Sequence, residues 1–284
     1  VLDASAANDK LGVAQNAAGY WFPGSGWLKP AAVCRASLQT PGIELVEDCG
    51  QVSLGRTVGG WLATGCDGQT WEADCVVIAA GTNSKDLAGL EWLPLQAIRG
   101  QTTRLPTSQL FSELRAALCH TGYIAPARAG EHCIGATFDL DDFDESPRAG
   151  DHQNNLAKLA SAVPGWQEAL AQLDPARLQG QVAYRCASPD YLPLVGPVPD
   201  REAFLQDFAA LRKNAKQTLP RRGQFLPGLY LSTAHGSRGL TSAPLTAELL
   251  ASQICGEAPP LCRELGRALA PARFIIRDLR RNRI

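Results

Sequence analysis

Three stretches of this 284-residue sequence carry side chains and backbone patterns that can do chemistry. In the first, Gly228-Leu229-Tyr230-Leu231-Ser232-Thr233 reads as a buried strand and Ala234-His235-Gly236-Ser237-Arg238-Gly239 as a glycine loop. Pro244 to Ile254 then reads as a helix. A glycine-rich turn into a helix presents backbone N–H groups and the positive end of the helix dipole. Such a site favours an anion, or a ring that gains negative charge. The alternative is a tight turn that needs glycine only for its backbone.

The second stretch is Val182-Ala183-Tyr184-Arg185-Cys186-Ala187-Ser188-Pro189-Asp190-Tyr191-Leu192-Pro193. Arg185 follows a strand-like run, and a buried arginine needs a partner. A planar carboxylate ligand matches its fork, and so does a structural ion pair with an aspartate such as Asp190. The pattern alone leaves both open. The third stretch is Gly81-Thr82-Asn83-Ser84, directly after the apolar run Cys75 to Ala80. Loops at the carboxyl ends of parallel strands are where α/β folds hold ligands.

Other patterns do not complete a site. Gly24-Ser25-Gly26 runs into Trp27-Leu28-Lys29 and leaves G-x-G-x-x-G unfinished, and no P-loop occurs. Cys119-His120 and His132-Cys133 are adjacent pairs whose side chains point to opposite faces of a strand, so no metal site is expected. His235 to Gly239 lacks the first glycine of a nucleophile elbow. Asp139, Asp141, Asp142, Asp144 and Glu145 miss the calcium-loop pattern and read as a solvated loop. The C-terminal stretch from Arg273 carries five arginines and one aspartate. It suits phosphates as a local cationic patch, or it is an ordinary helix with snorkelling arginines.

The elements that must position these residues alternate irregularly. Pro30 suits the first turn of a helix over Ala31 to Leu38. Ile43 to Val46 reads as a short strand. Gly60 to Thr64, a turn at Cys66-Asp67-Gly68-Gln69, and Thr70 to Ala73 read as a hairpin. Cys75 to Ala80 suits a parallel strand buried on both faces. Ala97 to Leu105, Gly122 to Ala127 and Cys133 to Phe138 read as an antiparallel sheet. Asn154 to Val163 places Leu156, Leu159 and Val163 on one helical face, and Asp200 caps a helix carrying Phe204, Phe208 and Leu211. The order predicts an α/β cofactor domain interleaved with an α+β domain. The expected segments are 1–27 and 96–195 for the antiparallel substrate domain, 28–95 and 196–262 for the cofactor domain, and a basic tail over 263–284.

Composition bounds the partners. Lys+Arg 27 against Asp+Glu 28 excludes a protein held to a polyanion by overall charge, though not one with a basic patch. No apolar run is long enough to cross a bilayer, and the first ten residues lack a signal-peptide pattern. Nine cysteines without a C-x-x-C point to free thiols in a reducing compartment, with the cytoplasm as the default. The absence of Met points to a fragment, or to a chain from which selenomethionine has been omitted.

Four stretches together resemble the D-amino-acid oxidase/glycine oxidase family of flavoproteins. They are Asp74 to Gly81, Ile98-Arg99-Gly100-Gln101, Tyr184-Arg185 through Asp190 to Gly196, and Gly228 through Pro244. Gly19-Tyr20-Trp21-Phe22-Pro23 with Gly26-Trp27-Leu28, Thr233 to Thr241, and the ending Pro271 to Asp278 narrow the likeness. They resemble the C-terminal oxidoreductase region of bifunctional bacterial enzymes that build a methylaminomethyl group on the tRNA wobble uridine. The resemblance implies a glycine oxidase-like FAD domain interleaved with a substrate domain. It departs from the family in lacking the N-terminal dinucleotide-binding βαβ unit, so poor FAD binding is expected of the isolated chain.

The resemblance implies FAD as cofactor, tRNA as partner, and S-adenosylmethionine only through a methyltransferase domain that precedes this region. It aligns Arg185 with the arginine that holds the substrate carboxylate, and it puts Arg238 beside flavin or substrate. It sets His235, Gly236, Ser237, Arg238, Gly239, Leu240 and Thr241 at the flavin pyrimidine edge, with Val52 and Gly81 on the adenosine side. The implied reaction oxidises the CH2 between amine and carboxylate of a carboxymethylaminomethyl uridine. Competing readings are a small-molecule amine or amino-acid oxidase of the same fold and a non-catalytic RNA-binding fragment.

Overall fold

The computed structural model describes residues 1–284. The elements in chain order begin with helices α1 (Ala4–Leu11) and α2 (Pro30–Leu38) and strands β1 (Ser53–Arg56), β2 (Trp61–Thr64), β3 (Thr70–Ala73) and β4 (Val76–Ile78). Strands β5 (Gln96–Pro106), β6 (Leu118–Cys119), β7 (Tyr123–Ile124), β8 (Glu131–Gly135) and β9 (Asp139–Leu140) follow, then helices α3 (Ala149–Ala162) and α4 (Gln167–Ala171). The chain continues with β10 (Gln179–Ala187), β11 (Leu194–Pro199), α5 (Arg201–Asp207) and β12 (Phe225–Thr233). It closes with α6 (Gly239–Cys255), α7 (Arg263–Leu269) and α8 (Ala272–Arg280). The chain divides into two compact units, one of residues Val1–Ile43 and Ile98–Tyr184, the other of Glu44–Ala97 and Arg185–Ile284.

The first unit is built on a sheet in the order β10-β5-β8-β7-β6, with β9 paired to β5. The pairings β5–β8, β7–β8 and β6–β7 are antiparallel, as the sequence predicts. Leu105, Ile124 and Ile134 leave the sheet to meet Leu156, Leu159 and Val163 from α3 and its end, with the tilted rings of Phe111 and Trp166 lying 4.9 Å apart. Each large apolar side chain buried this way contributes roughly 1.5–3 kcal/mol. A polar seam runs through the same core. His152 Nδ1 and Thr103 Oγ1 share a 2.8 Å hydrogen bond, and Asn155 donates to Gln101 O at 3.0 Å.

The acidic run is only partly the solvated loop expected: Asp141, Asp144 and Glu145 are exposed, but the run is not free. It folds back around Arg99, whose side chain is fully buried. Arg99 donates to Asp151 Oδ2 at 2.7 Å and to the carbonyls of Asp144 and Ser146 at 2.6 and 2.8 Å. Asp139 and Asp142 lie within 4.0 Å. Arg148 clamps Asp142 and Asp144 from outside. A buried guanidinium cannot stay unpaired, so this segment is held where an isolated acidic run would solvate.

The second unit holds two sheets. One is the antiparallel meander β1-β2-β3, which contains the predicted hairpin in register, Trp61 facing Ala73 and Thr64 facing Thr70. The other has the order β11-β12-β4, with β12 antiparallel to β11 and parallel to β4. Trp61 Nε1 donates to Pro227 O at 2.9 Å and joins the two. Three expectations change here. Residues 43–46 form no strand, and Ile43 and Leu45 stay exposed. β4 is three residues long at a sheet edge, and Val77 is 41% exposed, so the run is buried on one face only. α6 begins at Gly239, five residues before Pro244, so the proline lies inside the helix and cannot supply the usual donor to the Leu240 carbonyl. Asp200 caps α5 as expected, accepting from Ala203 N at 3.1 Å. That helix ends at Asp207; Phe208 caps it, and Leu211 lies in the short 3-10 turn Ala209–Arg212 that follows.

Candidate functional site

The candidate residues lie in the second unit, and most gather where β4, β10 and β12 end. β12 and β4 run parallel with Leu231 beside Ile78, so their carboxyl ends open on the same side. Thr233, the last residue of β12, is buried and donates to Gly81 O at 2.9 Å. Its Oγ1 also meets Cys186 Sγ at 3.4 Å. One threonine thus joins the loop after β4, the end of β10 beside Arg185, and the entrance to the glycine loop. Gly81 has φ +59°, a left-handed conformation that side chains disfavour, and it lies against Cys186.

The loop after β12 turns sharply. Ala234 and Gly236 have φ of +60° and +58°, and a Cβ on Gly236 would meet open space. Backbone conformation, not crowding, asks for glycine there. A 3-10 turn over Gly236–Arg238 leads straight into α6, and no side chain caps either helix start. The positive end of a 17-residue helix therefore carries no side-chain cap and is open to solvent or to an anion. Ser237, Arg238, Leu240 and Thr241 are exposed around it, and Gly239 is half-buried.

His235 has a different task. Its Nε2 meets Ser232 Oγ at 3.2 Å and its Nδ1 meets Ser242 Oγ at 2.9 Å. Both ring nitrogens are engaged by hydroxyls, and burial lowers the imidazole pKa, which keeps it neutral at pH 7. His235 pins β12 to α6 and pairs with Ala187 through a backbone bridge. It shapes the loop while its neighbours face outward.

Arg185 is half-buried on β10, next to Cys186. The aspartate that the sequence offers as its ion-pair partner is taken by another residue. Asp190 accepts from Arg273 Nε and Nη2 at 3.0 and 2.9 Å, from Ser188 Oγ at 2.8 Å and from Leu192 N at 3.2 Å. Partial burial pushes the Asp190 carboxyl up, but the hydrogen bonds from Arg273, Ser188 and Leu192 win and hold it at about 2. Val52 stands apart from this group. It precedes β1 in the meander sheet, and none of the hydrogen bonds that join the loop residues reaches it.

Thr233 is the site residue that the sequence reading did not single out. Its signal was a hydroxyl-bearing residue closing an apolar strand immediately before a glycine loop. The adjacent pairs Cys119-His120 and His132-Cys133 do not converge. His132 is buried and bonded to Thr107 Oγ1 and Ala125 O, while Cys133 faces outward.

An uncapped helix start behind a left-handed glycine, backed by the ends of two parallel strands, suits an anion or an electron-rich ring at the edge of an α/β sheet. Residues 1–253 match the family described as FAD dependent oxidoreductase, and the chain belongs to that family. Its relatives include proteins named tRNA 5-methylaminomethyl-2-thiouridine biosynthesis bifunctional protein MnmC. The one from Stutzerimonas stutzeri is 43% identical over 98% of this chain and 42% of its own length. The one from Pseudomonas paraeruginosa is 44% identical over 98% of this chain and 43% of its own length. The chain thus spans less than half the length of these relatives. Among solved structures, glycine oxidase from Geobacillus kaustophilus shares the fold with TM-score 0.57 and 21% identity, over 78% of this chain and 52% of that one. Iminodiacetate oxidase from Chelativorans sp. BNC1 gives 0.56 and 22%, over 76% and 51%.

The residues present fit a flavin. The open cradle at Gly236 and the free positive helix end suit the electron-rich edge of an isoalloxazine ring. No helix is long and apolar enough to cross a membrane, and all nine cysteines are free thiols.

Proposed function

We propose that this chain is the oxidoreductase part of a wobble-uridine-modifying enzyme. It would remove the carboxymethyl group from 5-carboxymethylaminomethyl-(2-thio)uridine in tRNA. The observation that carries this reading is the 43% identity over 98% of the chain to a relative named for that modification. In those relatives the protein is named bifunctional, which fits a methyltransferase acting on the amine released here.

Bound FAD supplies the two-electron oxidant. The substrate loses a hydride from the CH2 between amine and carboxylate, together with the amine proton. The resulting imine takes up water and breaks into glyoxylate and the aminomethyl uridine. The chain's own part is to bind and orient. Arg185 holds the substrate carboxylate through its planar fork. The N–H groups of Gly236 and Ser237 and the start of α6 would hold the electron-rich edge of the flavin and favour its reduction when it is bound. Arg238 supplies a cation at the same rim. Thr233 fixes the loop against Gly81, so the donors are aligned before the substrate arrives. Gly239, Leu240 and Thr241 form the first turn behind them. Gly81, and more remotely Val52, are proposed to line the adenosine side. The reaction needs a neutral amine held in line more than a strong base, which agrees with a neutral His235 spent on the fold.

The test is an anaerobic titration of the full-length holoenzyme, following the flavin absorbance. Bleaching by tRNA bearing carboxymethylaminomethyl-uridine, with glycine and sarcosine inert, is the expected result. Bleaching by the small amines alone would make the protein a metabolic amine oxidase. No bleaching by either would leave it without this activity.

A further inference from the structure

The second unit carries a cavity of about 770 Å³ away from the β4–β12 loops, between α7, α8 and the segment that follows α5. Its floor is apolar. Phe204, Phe208, Leu211, Leu219 and Ile276 line it and belong to the cluster that anchors α8 through Ile275 and Leu279. Its rim is cationic. Lys216, Arg267, Arg273, Arg277, Arg280 and Arg281 all line it, and no carboxylate does.

These six cations divide by what they already hold. Arg273 is locked to Asp190 and to the carbonyls of Leu192 and Pro193, and lies 4.4 Å over the Phe274 ring. Arg277 is paired with Asp278 and lies 4.3 Å from the centroid of the same ring. These two build the wall. Lys216, Arg267, Arg280 and Arg281 are exposed, and no ion pair holds any of them. Arg267 interacts with Glu264 only at longer range. The whole chain has a net charge of −1, so four unneutralised cations around one cavity are a local excess and not a consequence of composition.

We propose that this cavity is an RNA-backbone docking site, in which phosphodiesters sit on the Lys216, Arg267, Arg280 and Arg281 rim while an unstacked base enters over the apolar floor. A cationic rim around an aromatic and aliphatic floor is the arrangement that holds single-stranded or loop nucleotides. The volume lies within the range of sites that take a nucleotide-sized ligand. The free cations come from three separate segments, so they spread along a rim, which suits successive phosphates of a chain better than one compact anion. The site rests on the proposed tRNA reading, since RNA is chosen over other polyanions because of it. It explains how a near-neutral chain holds a large polyanion while the reacting uridine lies at another place.

The experiment measures fluorescence anisotropy of labelled, unmodified tRNA with the full-length holoenzyme across a salt series. Wild type is compared with Arg267→Ala/Arg280→Ala/Arg281→Ala and with Arg56→Ala/Arg128→Ala/Arg177→Ala, a control that removes the same charge elsewhere. The cavity variant should weaken binding by about tenfold or more and flatten the log–log salt slope by about 2–3, roughly one per lost phosphate contact. The control should do neither, and the melting transition of both should match wild type. Equal weakening by the control, or none by the cavity variant, overturns the site. Binding of inorganic phosphate or adenosine monophosphate that tRNA cannot compete away also overturns it, in favour of a small-anion pocket. The binding readout is independent of the chemistry. If the cavity variant loses tRNA but modified tRNA never reduces the wild-type flavin, the site stands and the catalytic reading falls. If flavin is reduced and the cavity variant binds tRNA normally, the reverse holds.

Discussion

Two regions of this molecule concentrate charge, and they treat it oppositely. In the first unit, Arg99 is fully buried and surrounded by Asp139, Asp142 and Asp151, with Arg148 closing the outside. These charges are spent on one another and hold the chain, while Asp141 and Glu145 of the same run stay exposed without an ion pair. In the second unit, α8 spends Arg273 and Arg277 on its own anchoring but leaves Arg280 and Arg281 unpaired beside the cavity. Both regions read in the sequence as plain charge runs. A run becomes structure where an opposite buried charge meets it, and becomes a binding surface where none does. Arg185 stands between the extremes, half-buried on β10, with Asp190 already taken by Arg273.

The strongest way to break this contrast is to remove the buried charge. Arg99→Ala leaves several carboxylates facing one another without their cation. A loss of about 3–5 kcal/mol in urea unfolding is expected. A loss below about 1 kcal/mol would mean that the acidic segment is held by something else. Next comes Arg185→Gln, where fold stability should barely change while kcat/KM for the modified tRNA falls by about 10²- to 10³-fold, mostly through the lost carboxylate anchor. Unchanged kinetics would return Arg185 to a structural role.

Thr233→Val keeps the strand's shape but orphans Gly81 O. It should cost about 1–3 kcal/mol in unfolding free energy and red- or blue-shift the flavin spectrum of the holoenzyme as the loop loosens. An unaltered spectrum would uncouple this threonine from the cofactor loop. Acid titration probes the carboxylates. Arg148 holds the Asp142 carboxyl at about 2, mainly through its hydrogen bond, and Asp190 is held at about 2 as well. Their unfolded values lie near 3.9. Depressed carboxylates stabilise the fold above the unfolded value, so that stability is full above about pH 4 and is lost as pH falls towards 2. The urea midpoint should drop across that window, and Asp142→Asn/Asp190→Asn should flatten the drop. The smallest effect is expected at the free rim, where Arg280→Ala should shift stability by no more than about 0.5 kcal/mol. A larger loss would show that the rim charge is structural after all.

Much of the site's scaffold could be read directly. The β-loop-α unit at 228–254, the turn after β4 and the antiparallel texture from Gln96 all rest on local signals. What escaped was the meaning of charges and edges. The acidic run looked solvated because its partner, Arg99, sits some forty residues earlier. The apolar run at 75–80 looked doubly buried because sequence cannot show that β4 ends its sheet. The sequence pattern starts the helix after the glycine loop at Pro244, a residue that suits first turns, whereas the helix has already begun at Gly239.

The sequence by itself determined what neighbours decide. Pro30 opens α2, Asp200 caps α5, and Gly236 takes the left-handed turn, because dihedral preference and capping act within about four residues. Only the tertiary structure decided which charges and hydroxyls meet. Asp190 reaches Arg273 across 83 positions, and Thr233 reaches Gly81 across 152. Ion pairs and buried hydrogen bonds depend on where the chain returns, and burial then decides whether a charge must be satisfied from within or remains available to a ligand.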